Sequence, residues 1–81
     1  MDALKTETIH ALEQIICASE DCFCRITQKL ADESLIIENS IGQKTVINCR
    51  MNSADATIRQ VCRHIYNKDL FSYEPNYTIG M

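Results

Sequence analysis

The residues from Ser34 to Asn67 change from a two-residue to a 3.6-residue spacing of apolar side chains, and a helix-capping sequence separates the two patterns. In the first part, apolar and polar residues alternate along two short runs, as a half-buried antiparallel pair of strands requires. The inward positions are Leu35, Ile37, Ile47, Cys49 and Met51, and the outward positions are Glu38, Lys44, Asn48 and Arg50. Asn39 and Gly42 lie in the connection and tolerate the positive φ of a short hairpin loop. The pattern predicts a β-hairpin with one exposed face.

Ile36 and Val46 point outward in this register. The sequence allows two interpretations. Either these residues reflect β-propensity on a solvent-facing surface, or they mark a second surface that another element covers.

A helix is predicted to follow the hairpin. Ser53 is a good N-cap, and Asp55 lies in the first turn, where the helix dipole favours negative charge. The apolar residues then recur at steps of three and four as far as Asn67: Ile58, Val61, Cys62 and Ile65. This stripe must be buried against the sheet or against another helix.

Two further helices are predicted upstream. Asp2 to Ala18 has an amphipathic pattern, whereas residues 21–33 are ambiguous, because one set of apolar residues has helical spacing and another alternates as in a strand. We predict a helix there, since Gln28 interrupts the alternation and residues 29–33 are helix formers. If the segment is a strand instead, the fold becomes a helix, a three-stranded meander and a helix.

Residues 71–81 contain the only proline and a second alternating pattern. Apolar and aromatic residues take every odd position: Phe71, Tyr73, Pro75, Tyr77 and Ile79. Pro75 confines such a segment to the edge of a sheet. The sequence therefore predicts an α+β fold with two N-terminal helices, an antiparallel hairpin and a third amphipathic helix in one domain (residues 1–70). An extended arm or edge strand (residues 71–81) follows it.

Length and composition set the class of protein. A chain of 81 residues has room for one domain, which is only marginally stable alone, so we expect a homodimer. No apolar run approaches the length of a membrane span, and the first residues are charged rather than basic and then apolar, so we expect neither a span nor a secretory leader. The expected location is the cytoplasm.

Reactive groups do not form a recognisable constellation in the sequence. Cys17, Cys22 and Cys24 lie close together, but they lack a second knuckle of the kind that structural zinc sites use. With two glycines in the chain, there is no glycine-rich phosphate loop. We therefore expect no enzyme activity, no cofactor and no metal, with the cysteines as free thiols.

Charge is distributed unevenly along the chain. Residues 1–40 contain eight acids and three bases, whereas the remainder contains five bases and three acids. Arg59 and Arg63 lie on a cationic face of the last helix, which is either a solvated surface or a site for an acidic partner. The leading hypothesis is a small protein-interaction or regulatory module that binds a protein partner through Phe71, Tyr73 and Tyr77, with Arg59 and Arg63 as further contacts.

A second hypothesis comes from a resemblance. Residues 12–18, a break, a helix over residues 22–32, and then Leu35, Gly42 and Val46 resemble the helix-turn-helix and wing of a winged-helix domain. The resemblance implies a DNA-binding transcriptional regulator, and it places Arg25, Gln28 and Lys29 in the major groove and Lys44 near the wing. A pI of about 5.2 is unfavourable for phosphate contacts, so nucleic acid is the less favoured partner.

Overall fold

The computed structural model describes residues 1–71, and the fold is α+β, with two helices and a three-stranded antiparallel sheet. The elements in chain order are α1 (Thr6–Glu20), β1 (Cys24–Lys29), a 3-10 turn (Leu30–Asp32), β2 (Ser34–Asn39), β3 (Lys44–Asn48) and α2 (Ala54–Asn67). The strands are adjacent in the order β1, β2, β3. Both helices contribute to a core on one face of the sheet, which we call the inner face. The opposite face is the outer face.

The core consists of the apolar residues that the sequence patterns place inward. Its fully buried side chains come from both helices and from two of the strands: Ile16 of α1, Leu35 and Ile37 of β2, Ile47 of β3 and Val61 of α2. Ile58 and Ile65 of α2 are partly buried against this core. The predicted hairpin and the predicted stripe of α2 are thus confirmed, but Met51 and Cys62 are exposed and do not belong to the core.

The predicted second helix is wrong. Residues 24–29 form β1, which pairs with β2 over its whole length, from Cys24 opposite Asn39 to Lys29 opposite Ser34. Gln28 does not interrupt the alternation, because its side-chain amide exchanges two hydrogen bonds with the backbone of Leu4, at 2.8 and 2.9 Å. The fold is therefore the alternative that the sequence left open: a helix, a three-stranded meander and a helix.

The helix boundaries follow from local hydrogen bonds. α1 begins at Thr6 rather than at Asp2, since the backbone of Leu4 is bonded to Gln28 and cannot form a helical turn. Ser53 caps α2 as predicted, and its Oγ accepts a hydrogen bond from the Ala56 N–H at 3.1 Å.

The β2–β3 turn is held by one side chain. Asn39 Oδ1 accepts hydrogen bonds from the Ile41 and Gln43 N–H groups, at 3.2 and 2.9 Å. Gly42 has a φ of +88°, a conformation that favours glycine, as the hairpin prediction requires.

The predicted extended arm lies almost wholly outside the described residues. Phe71 is described, and it is buried. In residues 1–71, neither helix has the length and apolar character needed to cross a membrane.

Candidate interaction surface

The outer face of the sheet is built from the residues that alternate with the core positions of each strand. The strand register aligns these residues in rows that run across the three strands. The central row has the most apolar side chains and consists of Thr27, Ile36 and Val46. The Val46 side chain at the β3 end of this row is 65% exposed. Of the two interpretations of Ile36 and Val46, the described residues agree with the uncovered surface, since both helices lie on the inner face.

A charged row lies beside the apolar one. Arg25 of β1 is opposite Glu38 of β2, which is opposite Lys44 of β3. Lys29 lies at the other end of β1 and its Nζ is 3.4 Å from Asp32 in an exposed ion pair. Three cations therefore share the outer face with one acid, which lies between two of them. The resulting surface is mildly cationic and partly apolar.

The two edges of the sheet differ, and the edge formed by β1 is covered. Ile26 directs its N–H away from β2, and this group donates a hydrogen bond to Glu13 Oε2 of α1 at 2.8 Å. The two bonds between Gln28 and Leu4 hold residues near the start of the chain against the same strand. An exposed row of unpaired backbone groups would attract another strand. At this edge, Glu13 satisfies one outward-pointing N–H group, and α1 and the start of the chain lie beside the strand.

The direction of the backbone groups of β3 follows from two hydrogen bonds that continue its ladder with β2. The Asn39 N–H donates to the Gln43 carbonyl at 3.0 Å, and the Cys49 N–H donates to the Glu33 carbonyl at 2.8 Å. Because antiparallel pairs alternate, the odd-numbered residues of β3 bond to β2. The even-numbered residues, whose side chains lie on the outer face, direct their N–H and C=O groups to the open side.

Among the residues that the structure describes, little covers the edge formed by β3. Gln60 Nε2 of α2 donates a hydrogen bond to the Asn48 carbonyl at 3.2 Å. Within residues 1–71, the N–H and C=O groups of Lys44 and Val46 have no hydrogen-bond partner. We call these four backbone groups, together with the exposed Val46 side chain, the β3 edge. It offers both directional hydrogen bonds and apolar contact to an extended segment.

The residues that the sequence predicts to bind a partner do not form one surface within the described part of the chain. Phe71 is buried and its N–H donates to Thr45 Oγ1 of β3 at 3.1 Å, so it belongs to the core beside β3 rather than to an exposed aromatic patch. Tyr73 and Tyr77 lie outside the described residues. Arg59 and Arg63 are exposed on α2, which packs on the inner face, and are therefore separated by the sheet from the outer face.

The residues assigned to DNA contact lie on strands. Arg25 and Lys29 are on the outer face of β1 and Lys44 is on the outer face of β3, so the sheet places these three on the same face, with Lys29 at the opposite end from the other two. Gln28 points to the inner face and is bonded to Leu4. The recognition helix that the winged-helix resemblance requires is not formed, because residues 24–29 are the strand β1 and pair with β2 instead.

Cys24, at the start of β1, has the character of a structural thiol. The Cys24 thiol donates a hydrogen bond to the Glu13 carbonyl at 3.3 Å. Burial raises the pKa of Cys24 to about 11, and the negative charge of Glu13 and the neighbouring Cys17 and Cys22 add to the effect. Since the thiolate is the nucleophile and the metal ligand, this environment opposes both roles at neutral pH. In residues 1–71, no group of three or more histidine, cysteine or acidic residues has an arrangement that could hold a metal ion.

The outward position of Ile36 and Val46 follows from the sequence, whereas the difference between the two sheet edges does not. That difference depends on Glu13 and Gln28, whose partners are 13 and 24 residues away along the chain. No local pattern reports contacts of this kind. The chain matches no family model, no curated protein and no solved structure with which it has been compared, so a functional assignment depends on the residues of this surface.

Proposed function

We propose that this chain is a small, non-enzymatic, cytoplasmic protein-interaction module that functions as a homodimer, and that the β3 edge with the adjoining outer face is its binding surface. The observation that carries the proposal is the difference between the sheet edges. Glu13 and Gln28 hold neighbouring parts of the chain over β1, whereas Lys44 and Val46 have unpartnered backbone groups within the described residues. Within residues 1–71, the β3 edge therefore has a place for one further strand.

The energetics of a chain of this size support self-association. A domain of about 80 residues buries only about 60–65% of its unfolded surface, so additional burial at an interface stabilises the fold. The β3 edge supplies such burial, because Val46 is 65% exposed. Full burial of a valine side chain contributes about 1.5–3 kcal/mol, so covering the exposed part contributes about 1–2 kcal/mol.

The test is the oligomeric state of the purified protein measured by sedimentation over a wide range of concentration. We expect a monomer–dimer equilibrium, and we expect Val46→Lys to weaken the dimer about tenfold, which corresponds to about 1.4 kcal/mol. A charge at this position also opposes the approach of another strand. The control is Tyr66→Lys, because Tyr66 is an exposed apolar residue on α2, away from the surface.

A wild-type protein that remains monomeric throughout would remove the homodimer from the proposal. Equal effects of Val46→Lys and Tyr66→Lys would exclude the β3 edge as the dimer interface, because they would indicate a general effect of surface charge.

Nucleic-acid binding is the second candidate, and the shared outer-face position of Arg25, Lys29 and Lys44 favours it. Affinity from phosphate contacts falls steeply with salt. Binding to duplex DNA or RNA that disappears when Arg25 and Lys44 are changed to Gln, and that weakens with added salt, would favour this candidate over a protein partner. Absence of binding at low salt would exclude it.

A further inference from the structure

We propose that Cys17 of α1 and Cys24 of β1 are a thiol–disulfide pair, which a small disulfide such as oxidised glutathione converts reversibly into an intramolecular disulfide bond. All five cysteines of the chain are free thiols in the structure. The inference goes beyond the proposed function, since it requires neither a dimer nor a partner protein. It depends on where the two thiols meet, on their access to solvent and on the position of the third nearby cysteine.

The two residues meet at one backbone carbonyl group. The Cys24 thiol donates a hydrogen bond to the Glu13 carbonyl at 3.3 Å. Residues 13 and 17 both belong to α1, and in an α-helix the carbonyl of residue 13 also accepts the N–H of residue 17. Because the N···O distance of such a bond is about 2.9 Å, the Cys24 sulfur lies within about 6 Å of the Cys17 nitrogen. Tertiary packing therefore makes these two residues neighbours.

Both thiols also border the same open depression, which lies between α1 and the start of β1. Its volume is about 340 Å³, and Phe23 forms another part of its lining. Cys17 and Cys24 are each half-buried rather than enclosed in the core. The depression gives a small reagent access to the pair, and the surrounding structure keeps the two thiols beside each other.

The third nearby cysteine, Cys22, is a poorer partner for either thiol. It borders a different depression, beside Phe71. Phe23 continues the ladder between β1 and β2, because its carbonyl accepts a hydrogen bond from the Ser40 N–H at 3.0 Å. One extended residue separates the Cα atoms on its two sides by about 6.7 Å, which is close to the upper limit of about 6.8 Å for a disulfide. A bond between Cys22 and Cys24 is therefore disfavoured.

The exchange begins at Cys17. Burial raises the pKa of Cys24 to about 11, so Cys24 is the poorer first nucleophile. The Cys17 thiolate attacks one sulfur of oxidised glutathione, the S–S bond of the reagent breaks, and one glutathione leaves as a thiolate. Cys24 then loses its proton and attacks the Cys17 sulfur, which releases the second glutathione. Two protein thiols are oxidised, and the reagent is reduced to two thiols, which take up the two protons.

Proximity compensates for the low thiolate fraction of Cys24 in the second step, because groups held side by side react at a high effective concentration. The product links α1 to β1 beside the hydrogen bond from the Ile26 N–H to Glu13, which already joins the same two elements. Disulfides in a reducing compartment are usually transient and redox-sensing. In the cytoplasm that we propose for this chain, the bond is therefore a reversible response to an oxidant rather than a permanent cross-link.

The test is oxidation of the folded, full-length protein in mixtures of reduced and oxidised glutathione, followed by acid quenching and alkylation of the remaining thiols. Digestion with trypsin and a glutamate-specific protease cleaves after Glu20 and Arg25, which separates the two cysteines. We expect the loss of two thiols per chain and a disulfide that joins residues 14–20 to residues 21–25. Fragmentation in the mass spectrometer should show that Cys22 is alkylated and that Cys24 is in the bond.

Serine variants identify the pair independently. Cys17→Ser and Cys24→Ser should each abolish the linked peptides, and Cys24→Ser should retain a glutathione adduct on Cys17. The matched control is Cys22→Ser, which should form the bond as the wild type does. Cys62→Ser removes an exposed thiol, so it excludes cross-links between molecules as the source of the thiol loss. Circular dichroism checks that each variant is folded.

The equilibrium constant for forming the bond measures how well the fold positions the two thiols. We expect this constant to be at least about tenfold larger in the folded protein than in urea, because the unfolded chain does not hold the thiols together. By thermodynamic linkage, the bond then stabilises the fold by the same factor, which is about 1.4 kcal/mol. Urea unfolding of the oxidised and reduced proteins measures this difference separately.

Three outcomes would overturn the inference. A linked peptide that contains Cys22 in place of Cys24 would identify a different pair. Glutathione adducts without any intramolecular bond would show that the two sulfurs cannot meet in the folded protein. Equal equilibrium constants in the folded protein and in urea would show that the fold does not position them. The homodimer is tested separately, because sedimentation under reducing conditions reports the oligomeric state whatever the result for the cysteines.

Discussion

Substitution of Thr57 measures how much a buried polar group without a hydrogen-bond partner lowers the free energy of unfolding. The residue lies on the buried face of α2 and is completely buried, four residues before Val61. Its N–H donates to the Ser53 carbonyl at 3.0 Å, but within the described residues its Oγ1 has no hydrogen-bond partner. A buried hydroxyl of this kind costs about 1–3 kcal/mol. Thr57→Val removes the hydroxyl, keeps the branched shape and has a similar helix propensity.

We expect Thr57→Val to raise the free energy of unfolding by about 1.5 kcal/mol, which corresponds to about 6–12 °C in Tm for a domain of this size. Urea unfolding followed by circular dichroism measures it, since a stability change moves the midpoint and leaves the slope unchanged. The control Thr57→Ser keeps the hydroxyl and removes the methyl group, and it should destabilise by about 1 kcal/mol. A Thr57→Val protein no more stable than wild type would refute the reasoning, because the hydroxyl would then have a partner.

Two further predictions concern titratable groups. The thiolate fraction of a thiol with a pKa of about 11 is about 0.1% at pH 8, so alkylation of Cys24 in the folded protein should be at least about a hundredfold slower than in urea. Peptide mapping measures the rate, and equal rates in the two states would contradict the raised pKa. The pKa of Glu33 is lowered by hydrogen bonds from the Met1 ammonium group and from the Met51 N–H. Because the folded-state pKa lies below the unfolded one, Glu33 stabilises the fold above about pH 4.3, the unfolded value, and loses this contribution as the pH falls through the folded pKa. Glu33→Gln should therefore be less stable than wild type at pH 7, with a smaller difference at pH 3, and a difference independent of pH would argue against the interaction.

The elements that could be predicted from the sequence are those whose geometry is set by near neighbours. The β2–β3 hairpin follows from alternation and from the turn around Asn39 and Gly42. The last helix follows from the Ser53 cap and the apolar stripe, both of which require only residues within a few positions. In each case, one face is apolar over the whole element, so a single arrangement buries it.

Tertiary contacts determine whether residues 21–33 contain a helix or a strand. Their apolar residues fit a helix and a strand almost equally well, and Gln28 tips the local pattern towards a helix. The backbone of Leu4 satisfies the Gln28 side chain, so a polar residue can occupy an inward position of β1. Pairing with β2 then fixes the strand, because burying the alternating side chains and completing the backbone ladder outweighs a weak helix preference.

Some features of the candidate surface likewise follow from the sequence, and others depend on tertiary contacts. Alternation alone places Val46 and Lys44 on the outward side of the hairpin, since side chains on successive residues of a strand point to opposite faces. Within residues 1–71, the covering of the β1 edge depends on the Glu13 carboxylate reaching the Ile26 N–H from α1, and on Gln28 binding Leu4. Side-chain direction is a local property of an extended chain, whereas the covering of an edge depends on groups distant in sequence that meet only when the helices pack on the sheet.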